Sequence, residues 1–499
     1  MKTPWPQAGA VFKLFALLFS NRWVSQWKKQ WARQQALLPP AQDQAVPKNK
    51  SNQKQKPDRS KPMTFYERNF TLRVTLWYLL FQRLSFDATQ AGVVADARKG
   101  GADRLGKRGK KKLSQRIGSS HTSSYNEARQ RLPLALVRAA LACIGQQIQV
   151  LVGWGPEGNK KPALLDRCRQ LMDGSTVAVL TTPELAEEYP PARVRSRLSD
   201  WCLMRIVVGF CARSGAVLSA IEGPTKQSEQ RLAWQIMAQA ARWVIWIGDR
   251  NFGVWSVVAQ AVKHEQDVLV RLTRARAKKL MGPNPLRSGE ERLIDWAPSR
   301  HDQAAPGTEG KVVRGRLIYV RLHRGGYCFI DLWLFTTLEA EGCPVELLVQ
   351  WYGQRWQAEV HFRSVKTHLH LAELHVESPE MARKEFYAAL LAYNLVRAVM
   401  WGAGENLEKG VQTLSFSNAR RAVLEWLKDW GRSSNRSAAE QPKWVKTLLD
   451  EVGQQTLPKR KRPRPSQPRM VRCRATHWPI LKGSRSAAQK RHLTHSKTG

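Results

Sequence analysis

Residues 243–252 read WVIWIGDRNF, and the fold turns on how they are read. Trp243 to Ile247 is an unbroken apolar, β-rich run, the pattern of a central strand buried on both faces. Gly248 and Asp249 close it, so the strand carries a carboxylate at its end. Upstream, Gln227 to Ala241 has the apolar spacing of a helix. Three further β-rich runs precede that helix, Thr176–Leu180, Cys202–Phe210 and Ala216–Ile221, each bounded by Gly or Pro and expected to form an antiparallel trio. Asp173, in MDGST, stands just before the first of them. Acids at the ends of central strands rest on rigid backbone and can meet at a crevice without burying unpaired charge. Taken singly, each has an ordinary reading: DGS is a common turn, and Asp after Gly often caps a helix.

Strands followed by a helix and a buried strand fit a ribonuclease H-like α/β core. Residues 267–345 contain VLVRL, KVVRGRLIYVRLHR and YCFIDLWLFTT, alternating β-rich runs expected to form a strand-dominated insertion. Beyond it, residues 351–366 read WYGQRWQAEVHFRSVK and are predicted to be one helix. At about 100° per residue, Tyr352, Arg355, Glu359, Arg363 and Lys366 fall within an arc of roughly 80°. Leu347, Trp351, Ala358, Phe362, Val365 and Leu369 occupy a neighbouring arc, which suits burial while the polar arc faces a cleft. A lone acid among phosphate-sized cations suits metal-assisted phosphoryl chemistry. A solvated face laced by Arg355–Glu359 and Glu359–Arg363 pairs is the plainer reading of that arc alone.

Charge points to a partner. The 81 Lys and Arg against 40 Asp and Glu leave a net +41, which repels itself in a compact fold unless a polyanion offsets it. Neutralising phosphates is the natural outlet. No apolar run is expected to reach the roughly 18 to 20 residues that span a bilayer, so no membrane partner is expected. Val11 to Phe19 is short, carries Lys13 and lacks a small-residue cleavage site after it, so no secretory signal is expected. The 7 cysteines are scattered with no CxxC pair, which argues for a reducing cytosol without disulfides or structural zinc. A cytoplasmic, nucleoid-associated protein is the expected outcome. His361, His368, His370 and His375 do not have HExxH spacing and are read as helix-surface or phosphate-facing residues.

Composition divides the chain. Residues 1–62 read as a basic, largely disordered extension, with one short helix near the start. Residues 63–165 read as a helical N-terminal domain, with FTLRVTLWYLLFQRL and RLPLALVRAALACIGQQI as its clearest helices. Between them, KGGADRLGKRGKKKLSQR suits either a loop on a phosphate backbone or a solvated linker. Residues 166–400 hold the α/β core with its insertion, 401–456 a C-terminal helical region, and 457–499 a basic disordered tail with no acid in it.

The spacing of Tyr352, Arg355, Glu359 and Lys366 resembles the YREK signature of the insertion-sequence-4 family of DDE transposases. The resemblance spans roughly residues 120 to 400. Within it, TSSYNEARQRLP resembles the helical segment before the catalytic domain, and EFYAALLAYNLVRAVMWG the apolar helix after the third acid. It implies that Asp173, Asp249 and Glu359 are the catalytic acids and metal ligands, holding two Mg²⁺ ions with Mn²⁺ as a substitute. Two such ions, about 3.5 to 4 Å apart, activate a water or a DNA 3′-hydroxyl and stabilise the departing oxygen. Tyr352, Arg355, Arg363 and Lys366 are then DNA contacts. Trp333 and Trp356 resemble family tryptophans that receive a base pulled from the stack in the hairpin-forming branch. The family's usual second motif is DRGF, and here Asn251 replaces the glycine; Asn tolerates left-handed backbone, so the turn is expected to survive.

The function implied is a cut-and-paste DNA transposase. Its helical N-terminal domain would bind terminal inverted repeats, its core would cleave double-stranded DNA and transfer strands into target DNA, and a homodimer would hold two ends in synapsis. Two alternatives stay open: a catalytically inactive remnant that only binds DNA, and a ribonuclease H-like nuclease without strand transfer.

Overall fold

The computed structural model describes residues 6–36, 68–87, 89–106, 111–154, 161–194, 197–324, 328–408, 410–432, 440–458, 484 and 486–487. Its strands are β1 (Arg169–Val179), β2 (Pro191–Val194), β3 (Arg197–Cys211), β4 (Val217–Pro224), β5 (Ile245–Gly248), β6 (Asp267–Arg271), β7 (Glu291–Trp296), β8 (Val313–Arg324), β9 (Cys328–Thr336) and β10 (Glu373–Leu374). The chain divides into two units, one of residues 1–152, 177–202 and 363–456, the other of residues 153–176, 203–362 and 457–499.

The second unit is built around β5, which is buried at all four positions. Parallel neighbours flank it: Arg169 to Met172 of β1 pair with Ile245 to Gly248, and β6 pairs in register on the other side. β3 lies beside β1 and pairs antiparallel with β4. On the far side β9 runs antiparallel to β6, and β8 and β7 follow by antiparallel pairing. Met172, Trp246, Val270 and Phe335 from these strands pack with Leu232, Ile236, Trp255 and Val258 from the helices Glu229–Gln239 and Trp255–Lys263 into one core. The Trp246 indole N–H donates to Gln266 Oε1 at 2.9 Å, and the Gln266 amide donates to the carbonyls of Met237 and Ala241, so this buried polar pair is satisfied.

Three expectations change here. The central strand starts at Ile245, because Trp243 takes φ 64°, outside strand geometry. Strand β1 begins at Arg169, so Asp173 lies inside it; Leu171 and Met172 are fully buried and draw the strand back past the aspartate. VLVRL, expected at the start of the insertion, is β6, a parallel strand of the core; only β7 to β9 extend the sheet beyond it.

The first unit is mainly helical. The helix Pro379–Asn406 is buried over most of its length, is capped by Ser378 Oγ accepting from Met381 N, and packs against the helices Pro6–Leu18, Leu72–Leu84, Leu134–Leu151, Phe416–Arg432 and Glu440–Gln454. The N-terminal and C-terminal helices therefore share one core with it, where the sequence predicts separate stretches over 63–165 and 401–456. Residues 6–36, expected to be largely disordered, form the helices Pro6–Leu18 and Asn21–Ala36. Ala8, Val11, Leu14, Phe15 and Leu18 recur at helical spacing and are buried, with the Phe15 ring 4.9 Å from that of Trp426. Most of the glycine- and lysine-rich loop is described, apart from residues 107–110, while most of the basic tail falls outside the described residues.

Leu134–Leu151 and Pro379–Glu405 are long and apolar enough, by length and composition, to cross a bilayer, contrary to the expectation of no such run. Pro379–Glu405 is almost wholly buried in the protein. Leu134–Leu151 buries Leu136, Val137, Ala140, Leu141, Ile144 and Ile148 along one face, the pattern of a helix packed on a core. Within this unit the end of β1 pairs with β10, Ala178 opposite Glu373, and β2 pairs with the start of β3. Cys143, Cys168, Cys202, Cys211 and Cys343, the cysteines among the described residues with side chains assigned, form no disulfide with one another.

Candidate active site

The register of β1 on β5 ends by pairing Met172 with Gly248, so Asp173 inside β1 and Asp249 just past β5 each directly follow that last pair of parallel neighbours. Asp249 follows the last residue of β5 and accepts a hydrogen bond from Asn251 N at 2.8 Å, an Asx turn. This turn lies hard against the end of β6. A Cβ at Gly253 would fall 2.1 Å from the Arg271 carbonyl oxygen, so glycine is required there. Asp173 accepts from Gly174 N at 2.9 Å.

Glu359 comes from the helix Trp356–Arg363, whose Ala358, His361 and Phe362 are buried. Phe210 of β3 packs on both aromatic members, 5.2 Å from the His361 ring and edge-on at 5.1 Å to Phe362. His361 is thus a core residue, where the sequence suggests a surface one. The preceding helix, Val345–Gly353, is fixed by Trp351, over which the Arg169 guanidinium of β1 sits at 4.4 Å. The predicted single helix is therefore broken. Gly353 ends one segment, and Arg355 N and Ala358 N bond three residues back, to Tyr352 O and Arg355 O, through a tight turn before the next.

Asp173, Asp249, Glu359, Arg355 and Tyr352 share one electrostatic neighbourhood. Burial pushes the Asp173 carboxyl up to about 6; the hydrogen bond from Gly174 and the charge of Arg355 oppose the rise, and Asp249 and Glu359 add to it. Burial also raises the Tyr352 hydroxyl, against the opposing charges of Arg355 and Arg271. Glu359 is held by Arg355 Nη2 at 3.0 Å, the pairing that a solvated arc would also give. Among the described residues no three His, Cys, Asp or Glu side chains converge closely enough to hold one ion. The donors nonetheless fit a hard divalent cation. They are carboxylate oxygens alone, and a cation would relieve the charge that accumulates at Asp173.

Trp356 is 56% exposed. Trp333 is buried in β9, stacked on Tyr319 at 4.2 Å, so a base could meet its face only if Tyr319 moved. Arg363 and Lys366 belong to the first unit, where Arg363 is exposed and Lys366 half-buried. Burial pushes the Lys366 ammonium below its usual range. Two nearby residues escape the sequence reading. Arg271 ends β6 one position past the residue paired with Gly248, so a cation closing the strand beside an acid-bearing one is the signal that could have found it. Glu229 follows Ser228, the N-cap of its helix, and reads only as a favourable helix-start acid.

The raised Asp173 carboxyl has a stability consequence. Its contribution is fully present below the unfolded value of 3.8 and is lost as pH rises through about 6. Asp173→Asn should therefore be more stable than the parent at pH 7.5 by about 1 to 2 kcal/mol, after discounting for partial solvent access. Thermal melts should show the gap closing below pH 4. An equal gap at pH 3.5 would remove this account of Asp173.

Residues 165–395 match the family model described as a transposase DDE domain, a segment that contains Asp173, Asp249 and Glu359. The chain is 25% identical over 263 residues to the transposase InsG for insertion sequence element IS4 of Escherichia coli (strain K12). That match covers 51% of this chain and 58% of that protein, so the chain spans a little over half the relative's length. Among solved structures, a piggyBac transposase synaptic complex with hairpin DNA is a loose likeness, 9% identical with a TM-score of 0.38 over 88% of this chain and 85% of that one.

Proposed function

We propose that this chain, whose residues 165–395 match a transposase DDE domain, is a transposase of the insertion-sequence-4 family that binds the terminal inverted repeats of an insertion sequence and catalyses metal-dependent cut-and-paste cleavage and strand transfer. The observation that carries this reading is that Asp173 of β1 and Asp249, just past β5, directly follow the paired Met172 and Gly248, with Glu359 in their field. The antiparallel pair β3 and β4 beside the parallel trio β1, β5 and β6 supports a ribonuclease H-like core. The helices before it are assigned to repeat recognition, and a homodimer to synapsis of two ends.

Asp173, Asp249 and Glu359 would hold two Mg²⁺ ions, or Mn²⁺, which when bound activate the attacking hydroxyl and stabilise the leaving oxygen. Glu359 leaves Arg355 to join the aspartates, and the freed guanidinium pairs with a DNA phosphate. Tyr352 and Arg271 line the same strand, and Arg363, Lys366 and the exposed Trp356 are further DNA contacts, with Trp333 a contact that needs Tyr319 to move. The inactive-remnant alternative rests on that same Arg355–Glu359 pair. End-labelled duplex bearing the repeats that flank the gene separates the two: the proposal expects Mg²⁺-dependent cuts at the repeat boundary, and binding without cutting would favour the remnant.

Trp356→Ala should spare the first nick, which needs only the acids and metal, and slow hairpin closure by about 1 to 3 kcal/mol, roughly 5- to 150-fold. Phe should restore part of the loss. Equal slowing of nick and hairpin in a time course would make Trp356 a packing residue instead.

A further inference from the structure

Asn251 stands where DRGF has glycine, yet it does not use left-handed backbone. Among the described non-glycine residues φ is positive at Trp243, Glu265, His370 and Glu408 only. Its side chain accounts for its presence. Asn251 Nδ2 donates to Glu229 Oε2 at 2.5 Å, and Gln230 Nε2 donates to Asn251 Oδ1 at 2.8 Å and to its carbonyl at 3.0 Å. The backbone N of the same residue donates to Asp249 Oδ1 at 2.8 Å. The Glu229 carboxyl group also rests on the strand beside the other aspartate. A Cβ at Gly174 would come within 2.3 to 2.7 Å of its carboxyl atoms, so the glycine beside Asp173 admits it.

We propose that Glu229 is a positioning residue for the two aspartates: it rests on the β1 backbone at Gly174, next to Asp173, and, through Asn251, braces the turn that holds Asp249. The replacement of glycine by Asn251 and the presence of Glu229 are then one device. A helix start, fixed by its Ser228 cap, ties the β1 backbone beside Asp173 to the turn after β5, and the spacing of these two segments sets the metal donors. Partners that orient metal ligands typically govern affinity by about 10- to 100-fold when lost. The inference rests on the reading of Asp173 and Asp249 as metal ligands.

The test is Mn²⁺ binding to the full chain without DNA, followed by electron paramagnetic resonance, with melting curves alongside. Glu229→Ala should weaken Mn²⁺ binding by about tenfold, and Glu229→Gln, which keeps an acceptor for the Asn251 amide, should stay within about threefold of the parent. Asn251→Gly should weaken binding by severalfold and no more than Glu229→Ala, and the double variant no further than Glu229→Ala, because Asn251 acts through Glu229. If Glu229→Ala does not fold, Asn251→Gly and Glu229→Gln carry the comparison. Unchanged affinity in Glu229→Ala or Asn251→Gly overturns the proposal. So does a Gln variant as weak as Ala, since charge and not hydrogen bonding would then matter. Mn²⁺ binding insensitive to Asp249→Asn sinks the metal-site reading and this inference with it; loss in Asp249→Asn with none in Glu229→Ala sinks the inference alone.

Discussion

Asp173→Asn, Asp249→Asn and Glu359→Gln should each lower Mg²⁺-dependent cleavage of repeat-end DNA by about a thousandfold or more while leaving gel-shift affinity nearly unchanged. Bound metal contributes several kcal/mol of charge stabilisation in the transition state, and each 1.4 kcal/mol or so is tenfold in rate. Removing one acid from a chain of net +41 leaves its attraction for phosphate almost as it was. Misfolding cannot mimic this result at Asp173, where the Asn variant is expected to melt higher than the parent. A variant that cuts at the parental rate would strike its residue from the catalytic set. Glu359 is tested most severely, because Arg355 holds it in the structure.

The second large effect lies in the helical unit. Glu385, on the helix Pro379–Asn406, is buried and accepts from Arg83 Nε at 2.7 Å and from Arg129 Nη2. Arg83 Nη1 also donates to the His370 carbonyl at 2.9 Å, so one guanidinium ties three segments. Burial opposes the Glu385 carboxylate, but the two guanidinium groups outweigh it and hold its pKa below the usual range. Glu385→Ala leaves two cations without their partner and should cost about 3 to 5 kcal/mol, read by urea or thermal unfolding. The stabilisation from Glu385 is present above the unfolded carboxylate range and is lost as pH falls through the depressed folded value, so the parent and Ala melts should converge in acid. A loss below about 1 kcal/mol at pH 7 would show that water reaches the pair.

Much of this arrangement is legible in the sequence, and the misses have physical causes. Residues 245–248 stand out because a strand buried on both faces has no polar register. Asp173 reads as lying outside its strand because Arg169 and Gln170 interrupt the apolar run, although Gln170 is itself buried against Gly209. The helices at 6–18 and 21–36 are obscured by the polar composition of the window to residue 62, which hides buried positions that recur only locally. Periodicity sets Trp351, Ala358, Phe362, Val365 and Leu369 on a buried stripe, and they are buried, but it carries no sign of the turn at Gly353. Glu229 and Arg271 reach the acids across strands and turns distant in sequence, a relation no local spacing encodes.

The most direct test is diffraction from the chain in complex with repeat-end DNA and Mn²⁺, with anomalous peaks locating the ions. Metal density touching Asp173, Asp249 and the scissile phosphate, with Glu359 turned away from Arg355 to join it, is the predicted result. DNA bound in register with no ion at those aspartates, or with Glu359 still on Arg355 while the strand is cut, would contradict the account.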